Sequence, residues 1–494
     1  MTDQAASAPS EKRTAPRQRD LTTGPINRTL LLFALPTLGS NILQSLNGSI
    51  NAIWVGRFLG EDALAATANG NIIMFLLNAF VFGFGMASTI LIGQAFGARD
   101  VDRARAVLGT ALGSFVAASA AIAVIGWIFA PQLLATLGTP GDAQALALDY
   151  LRVIFIAMPG ALMMVLLMMA LRGSGDSLTP LWFMMLSVVL DSALNPVFIL
   201  GLGPAPEMGI AGSATATAIA NYVSLGAMLA YIYARDLPLR LKGRELRYLK
   251  PDLTCLKIIF GKGLPMGLQM IVISSSALTM LSLVNKEGVE ATAAFSVTQQ
   301  LWTYIQMPAM ALSAAASSMA AQNIGAGRWD RLAKITRSGV IFTFLLTGFL
   351  ILALTLVDRH ALGLFLPADS PAMPLAQHIQ LIASWGFLFF GVAMVLFGTV
   401  RANGEVVWPL IILFISMYPV RLLVALGGRD WLGTDALWLS FPIGMTTTMI
   451  MATALYLHGG WRKKGLGAKP IEEERARELA VSDAEPGASL NPRG

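Results

Sequence analysis

The chain is poor in the residues that cross-link proteins and hold metals. It has one cysteine, Cys255, in 494 residues, which excludes an internal disulfide and any cysteine-rich metal site. The three histidines, His360, His378 and His458, share no ligand spacing and fall near the ends of apolar runs, where a structural or interfacial role is expected. Neither Gly-Lys-Ser nor Gly-Lys-Thr occurs, so a P-loop phosphate cradle is excluded. Residues 1–24 contain no apolar run and do not read as a secretory signal peptide. Charge is scarce as well, at 13% of residues.

What replaces charge is apolar surface. Hydrophobic residues make up 55% of the chain, more than a soluble core of this length can hide, so the solvent is lipid. A helix needs about 20 apolar residues to cross the hydrocarbon of a bilayer. Twelve such runs lie near 29–52, 65–92, 105–130, 146–170, 179–201, 209–234, 257–284, 292–318, 335–357, 376–400, 407–427 and 435–458. The expected fold is an all-α polytopic membrane protein, with twelve transmembrane helices in two six-helix lobes related by an internal repeat.

The repeat is written in the loops. Gln94-Ala-Phe-Gly97-Ala98, with Asp102-Arg103 beyond it, returns 228 residues later as Gln322-Asn-Ile-Gly325-Ala326 and Asp330-Arg331. Arg172-Gly-Ser-Gly175-Asp176 and Pro180-Leu181 return 229 residues later as Arg401-Ala-Asn-Gly404-Glu405 and Pro409-Leu410. Leu35-Pro36 and Leu264-Pro265 open the two copies. The plain reading of these segments is local: glycine permits the reversal, the acid favours the next helix start, and proline suits its first turn. Duplication in an apolar chain carries more, because transporters are built from two such bundles that rock around a site between them. An even number of spans per lobe puts the repeat axis along the membrane normal.

Charge sets the orientation. With the N-terminus cytoplasmic, only Arg57, Lys286, Arg359 and Arg429 fall in outer loops, and Arg152 and Arg421 lie at or within spans. Every other Lys and Arg then falls on the cytoplasmic side, as the positive-inside rule requires. The net charge of +6 therefore reports orientation, and no nucleic-acid partner is expected. The expected organisation is a disordered cytoplasmic arm at 1–24, a first lobe at 25–234, a basic cytoplasmic linker at 235–256, a second lobe at 257–460 and a polar cytoplasmic tail at 461–494. In the linker Arg240, Lys242, Arg244, Arg247 and Lys250 would face an anionic inner leaflet, each attracted by roughly 1 kcal/mol.

Several motifs in fixed order resemble the multidrug and toxic compound extrusion (MATE) family: Val55-Gly56, Leu59-Gly60, Ala63-Leu64-Ala65, Gly93-Gln94-Ala95-Phe96-Gly97-Ala98 and Arg172-Gly-Ser-Gly-Asp176. The resemblance runs from about 25 to 460. It implies efflux by alternating access of organic, often cationic, compounds in exchange for H+ or Na+, by a multi-pass protein of the plasma (inner) membrane with both termini cytoplasmic. No other cofactor and no enzymatic activity are implied. The expected partners are small organic cations or amphiphilic drugs and the lipid bilayer, and the expected working unit is a monomer.

One carboxylate lies deep in an apolar run, Asp191 of Leu186-Ser-Val-Val-Leu-Asp191-Ser-Ala-Leu-Asn195-Pro196. An acid at the bilayer centre costs about 2.5–3.5 kcal/mol on insertion scales, so such groups usually face a cavity and act. Asp191 is the expected coupling residue, against the plainer reading of a neutral interhelical hydrogen bond. Asn195 shares its helical face, about 6 Å along the axis, and Pro196 frees a backbone carbonyl. Together these oxygens could serve a proton alone or coordinate Na+. Similar family members carry Asn and then Asp before this proline; here the order is exchanged. Ser40, Gln44, Asn47 and Asn51 form a polar stripe on the first span, either packing glue or the wall of the same site. Asn51 stands where the resemblance often brings aspartate, which argues against a two-carboxylate site. Ser213, Thr217 and Asn221 repeat the i, i+4 spacing on the sixth span, with Thr217 and Asn221 as cavity candidates.

The second lobe lacks acids at Met270–Ser276 and Phe387–Gly391, where another branch of the resembled family carries them, so the resemblance implies the branch whose coupling site lies in the first lobe. Arg421 falls nearly at the repeat position of Asp191, and a structural role is expected for it. Substrate contacts are expected from Met164 and Met168, whose thioethers suit promiscuous binding, and from Gln299, Gln300 and Thr303 of the eighth span. Lipid-facing or packing roles are the plainer reading for each. The alternative function is a flippase or exporter of a lipid-linked or other amphiphilic precursor on a related fold, which would show more helices and a cationic central cavity. A major-facilitator protein would carry a different loop after its second span, and a membrane enzyme would need a second buried acid.

Overall fold

The computed structural model describes the backbone of residues 20–136, 141–203, 205–367 and 370–463, and side chains there except at 60–74, 76–77, 136, 141–143 and 145–146. Among these residues there are helices and no strands. The first lobe holds α1 (Ile26–Gly97), α2 (Val101–Thr136), α3 (Gly141–Gly173), α4 (Leu178–Leu200) and α5 (Ile210–Ala234). The second holds α6 (Leu253–Asn285), α7 (Val289–Gly325), α8 (Trp329–Leu356), the short α9 (Asp358–Gly363), α10 (Ala372–Ala383), α11 (Gly386–Arg401), α12 (Val407–Ile415), α13 (Arg421–Gly427), the one-turn α14 (Arg429–Leu432) and α15 (Asp435–His458). Each lobe has its own apolar core.

Ten stretches are long and apolar enough to cross a bilayer, and α10 with α11 make an eleventh, bent by 42°. The remaining expected span, 292–318, lies within α7. This helix is long enough to cross, but Gln299, Gln300, Thr303, Gln306, Ser313, Ser317 and Ser318 dilute its apolar character. It is the helix between the lobes, packed against α1, α8, α10 and α11, so much of it faces protein and needs less apolarity than a lipid-facing span. The first two expected spans, 29–52 and 65–92, belong to one unbroken helical backbone, in which the apolar stretches are Ile26–Leu59 and Asn78–Gly97. The expected turn between them is not formed. Residues 53–64 contain no proline, so nothing there removes a helical donor.

Parts of the expected arm, tail and linker are packed against the helices. The arm at 1–24 lies outside the described residues up to 19, but its last part is packed: Leu21 is buried, its N–H donates to Gln322 Oε1 at 3.2 Å and its carbonyl accepts from Asn323 at 3.0 Å. The tail lies outside the described residues from 464. Its start is held by Trp461, buried, stacked on Tyr456 and bonded through its carbonyl to Asn403. The linker folds onto α2: Gly243–Leu249 form a short 3-10 helix, Leu237, Leu239 and Leu241 are buried, and Arg105 pairs with Glu245 at 2.7 Å.

The two lobes close on each other at the end of the bundle where Leu21 and Trp461 pack, and the duplicated motifs make the closure. Gln94 Nε2 donates to the Ala402 carbonyl at 2.8 Å, and Gln322 Nε2 donates to the Gly173 carbonyl at 3.0 Å. Each glutamine thus clasps the residue after the other lobe's motif arginine. Three residues on from each glutamine, Gly97 and Gly325 let the backbones touch: a Cβ on either would sit 1.9 Å from the carbonyl oxygen of Gln322 or Gln94. Beside this seam Leu30, Phe33 and Ala34 of α1 pack on Leu312, Ala315 and Met319 of α7.

Candidate ion and substrate site

Asp191 is 1% exposed and Asn195 is fully buried, one helical turn apart on α4. Helices α1 and α5 bring the partners. Asn51 Nδ2 donates to Asp191 Oδ2 at 2.9 Å, and Thr217 Oγ1 donates to Oδ1 at 2.9 Å. Asn195 Nδ2 lies 3.1 Å from Oδ1, 2.9 Å from the Asp191 carbonyl and 2.9 Å from Asn51 Oδ1. Asn47 of α1 and Tyr150 of α3 lie near the carboxylate. Two oxygens here are buried with no hydrogen-bond partner, Asn195 Oδ1 and Asn47 Oδ1. Pro196 deprives the Ser192 carbonyl of its helical donor. A carboxylate with acceptor-only oxygens around it suits a proton or a hard cation.

A second feature lies between the lobes. A cavity of about 220 Å³ is lined by Thr37, Asn41, Met86 and Arg172 from the first lobe and by Met266, Gln269, Met310, Ser317 and Arg401 from the second, among others. Arg401 is 7% exposed and donates to the Phe397 carbonyl at 3.1 Å and to Gln269 Oε1 at 3.2 Å. The closed seam formed by Gln94 and Gln322 involves the residues that directly follow these arginines.

The MatE family model matches this chain twice, over residues 36–197 and 265–426, in the register of the internal repeat. The chain belongs to the MATE family. It is 36% identical to the probable multidrug resistance protein YoeA of Bacillus subtilis (strain 168), over 88% of this chain and 94% of that protein. It is 30% identical to the probable multidrug resistance protein YpnP of the same strain, over 90% and 97%. A structure described as the outward-facing conformation of a multidrug resistance MATE family transporter of the MOP superfamily superposes with a TM-score of 0.83 at 21% identity, covering 92% of this chain and all of that one. MATE proteins are transporters, and this chain is a multi-pass membrane transporter rather than an enzyme.

In this MATE chain Asp191, Asn195, Asn51, Asn47 and Thr217 form one cluster despite the exchanged order of Asp and Asn on α4. One helical turn in either order keeps both groups on the same face. Asn221 stands aside and accepts from Ser187 at 3.2 Å, and Gln44 is exposed. Met164 and Met168 are packed into the core of the first lobe and do not line the cavity; Met169 does. Gln299, Gln300 and Thr303 are not among the cavity residues either, and Thr303 folds back onto the Gln299 carbonyl. Gln306, about two turns on, takes the place expected of them.

Arg421 stays within the second lobe. It is 4% exposed, 4.0 Å above the Phe441 ring and 3.1 Å from Ser276 Oγ, with no bond to Asp191. Sequence reading placed Arg172 and Arg401 at turns and missed the cavity they line. Their duplication at one motif position was the available signal.

Proposed function

We propose that this protein exports organic small molecules through the cavity between its lobes, driven by inward movement of H+ or Na+ at Asp191. The observation that carries the reading is a deeply buried carboxylate among unpartnered oxygens on the lobe that flanks the cavity. The relatives named as multidrug resistance proteins support the efflux direction. Binding and release of a cation would change the packing of α4 against α1 and α5, and α1 carries that change to the seam between the lobes. The driving force is adequate: one charge moved down ~100 mV releases ~2.3 kcal/mol, enough for about a fiftyfold gradient of a neutral solute.

The positive-inside distribution supports a cytoplasmic location for the seam end, and with it cytoplasmic termini and the inner membrane. A monomer suffices, because one chain supplies both lobes, the cavity and the acid. The test is substrate uptake into everted vesicles, where export from the cytoplasmic face appears as accumulation in the lumen, under an imposed pH or sodium gradient. Asp191→Asn should reduce gradient-driven efflux to background with unchanged yield and thermal midpoint; undiminished efflux in the variant would remove Asp191 from the mechanism, and the gradient that drives the unaltered protein names the ion.

A further inference from the structure

We propose that the cavity between the lobes binds organic anions, with the acidic group of an amphiphile held between Arg172 and Arg401. The proposal rests on the cavity being the transport chamber, and it reverses the charge that the family resemblance implies for the cargo. Each lobe contributes one guanidinium, at equivalent positions of the repeat, to a cavity that no Asp or Glu lines. Among the described residues neither arginine forms an ion pair.

Arg401 donates only to neutral acceptors, the Phe397 carbonyl and Gln269 Oε1. Arg172 Nε is buried with no hydrogen-bond partner, and so is Ser317 Oγ on the cavity wall. The acids nearest in sequence are engaged elsewhere. Asp176 accepts from the backbone of Leu178 and Thr179 and from the Thr179 hydroxyl, and Glu405 accepts from the backbone of Trp408. Both therefore serve the starts of the following helices.

Two cations in a low-dielectric space without a counter-charge are costly to hold. An anion relieves that cost, and the planar guanidinium fork matches carboxylate, sulfonate or phosphate oxygens. An organic cation entering the same space would meet like charge from both lobes. Met86, Met169, Met266, Met270, Met310 and Met394 also line the cavity and offer an adaptable thioether surface to the apolar part of the molecule. Because the two arginines come from different lobes, an anion bridging them is bound best when the seam is closed.

Two xanthene dyes of opposite charge test this on the purified full-length protein, with fluorescence anisotropy reporting equilibrium binding in the absence of any gradient. Fluorescein, a dianion at neutral pH, should bind at least about tenfold more tightly than the cation rhodamine 123. Arg172→Gln and Arg401→Gln should each weaken fluorescein about tenfold or more, the loss expected for charge-assisted hydrogen bonds. Arg172→Lys and Arg401→Lys, which keep the charge, should recover part of the affinity. Rhodamine 123 bound as tightly as fluorescein by the unaltered protein would overturn the proposal without any variant having to fold. So would Gln variants with native thermal midpoints and undiminished fluorescein affinity. Asp191→Asn should still bind fluorescein, so loss of coupling and loss of anion binding are read separately.

Discussion

Asp191 puts a carboxyl group in a place that selects against charge, and its neighbours supply the donors that would make ionisation tolerable. Asn51 and Thr217 donate most closely, at 2.9 Å each, while the Asn195 amide nitrogen reaches the carboxylate, the Asp191 carbonyl and Asn51 and its oxygen stays free. Replacing Asn195 with leucine keeps bulk and removes both functions. Hydrogen bonds to charged groups contribute roughly 1.5–3 kcal/mol, so Asn195→Leu should raise the half-saturating concentration of the coupling ion by about tenfold or more. Transport measured against ion concentration checks this, and an unchanged value would make Asn195 a packing residue. Asp191 was legible in the sequence because a lone acid in an apolar run is costly to insert and rarely sits there without a task, and Thr217 and Asn51 followed from helical spacing. Arg172 and Arg401 were not. Each lies in the last turn of a helix, one step before a glycine or alanine and four residues before an acid, and only the packed fold separates arginine, turned to the cavity, from acid, turned to the next helix. Met164 and Met168 failed for a related reason: composition cannot say which side of α3 meets another helix and which meets the cavity.

At the scale of elements, apolar runs located the helices well wherever a helix meets lipid. The rule weakened at α7, which runs between the lobes and carries amides and hydroxyls that lipid would not accept, and at the bend between α10 and α11. It could not detect that the α12–α13 span is wound as a π-helix at Ser416–Val420, around Pro419. Immediately beyond that distortion α13 begins with Arg421, which fills the near-equivalent of the Asp191 position with the opposite charge. Its surroundings are a serine hydroxyl, a methionine sulfur and an aromatic face, and its Nε is buried without a partner. Such a group is weakly compensated, and apolar replacements of buried charged groups are often neutral or stabilising by about 1–4 kcal/mol. Arg421→Met should therefore leave the thermal midpoint unchanged or raised, with ion-driven efflux retained, because Arg421 does not touch the coupling site. A marked fall in midpoint would assign Arg421 a compensating partner, and loss of efflux with a native midpoint would place the second lobe in the coupling mechanism.

For the whole molecule, the repeat that organises the sequence becomes a symmetric latch. Gln94 and Gln322 each reach into the opposite lobe, and Gly97 and Gly325 allow the two backbones to meet where any side chain would strike a carbonyl. The obstructing atoms are main chain, so the clash cannot be relieved by turning a flexible side chain. Overpacking of this kind costs typically 1–3 kcal/mol, and about 1.4 kcal/mol shifts a two-state ratio tenfold. Gly97→Val should thus disfavour the closed seam by about tenfold or more while leaving each lobe intact, since the contact lies between lobes and not within either core. Cys255 is the only native cysteine, so a Cys255→Ser background carrying Met310→Cys, on the cavity wall and 43% exposed, reports access. A membrane-impermeant maleimide applied from the seam side should label this cysteine about tenfold faster when Gly97→Val is present, and Gly325→Val should act alike because the latch is two-fold. Equal labelling rates with and without the valines would mean that the seam is not the barrier on that side of the cavity.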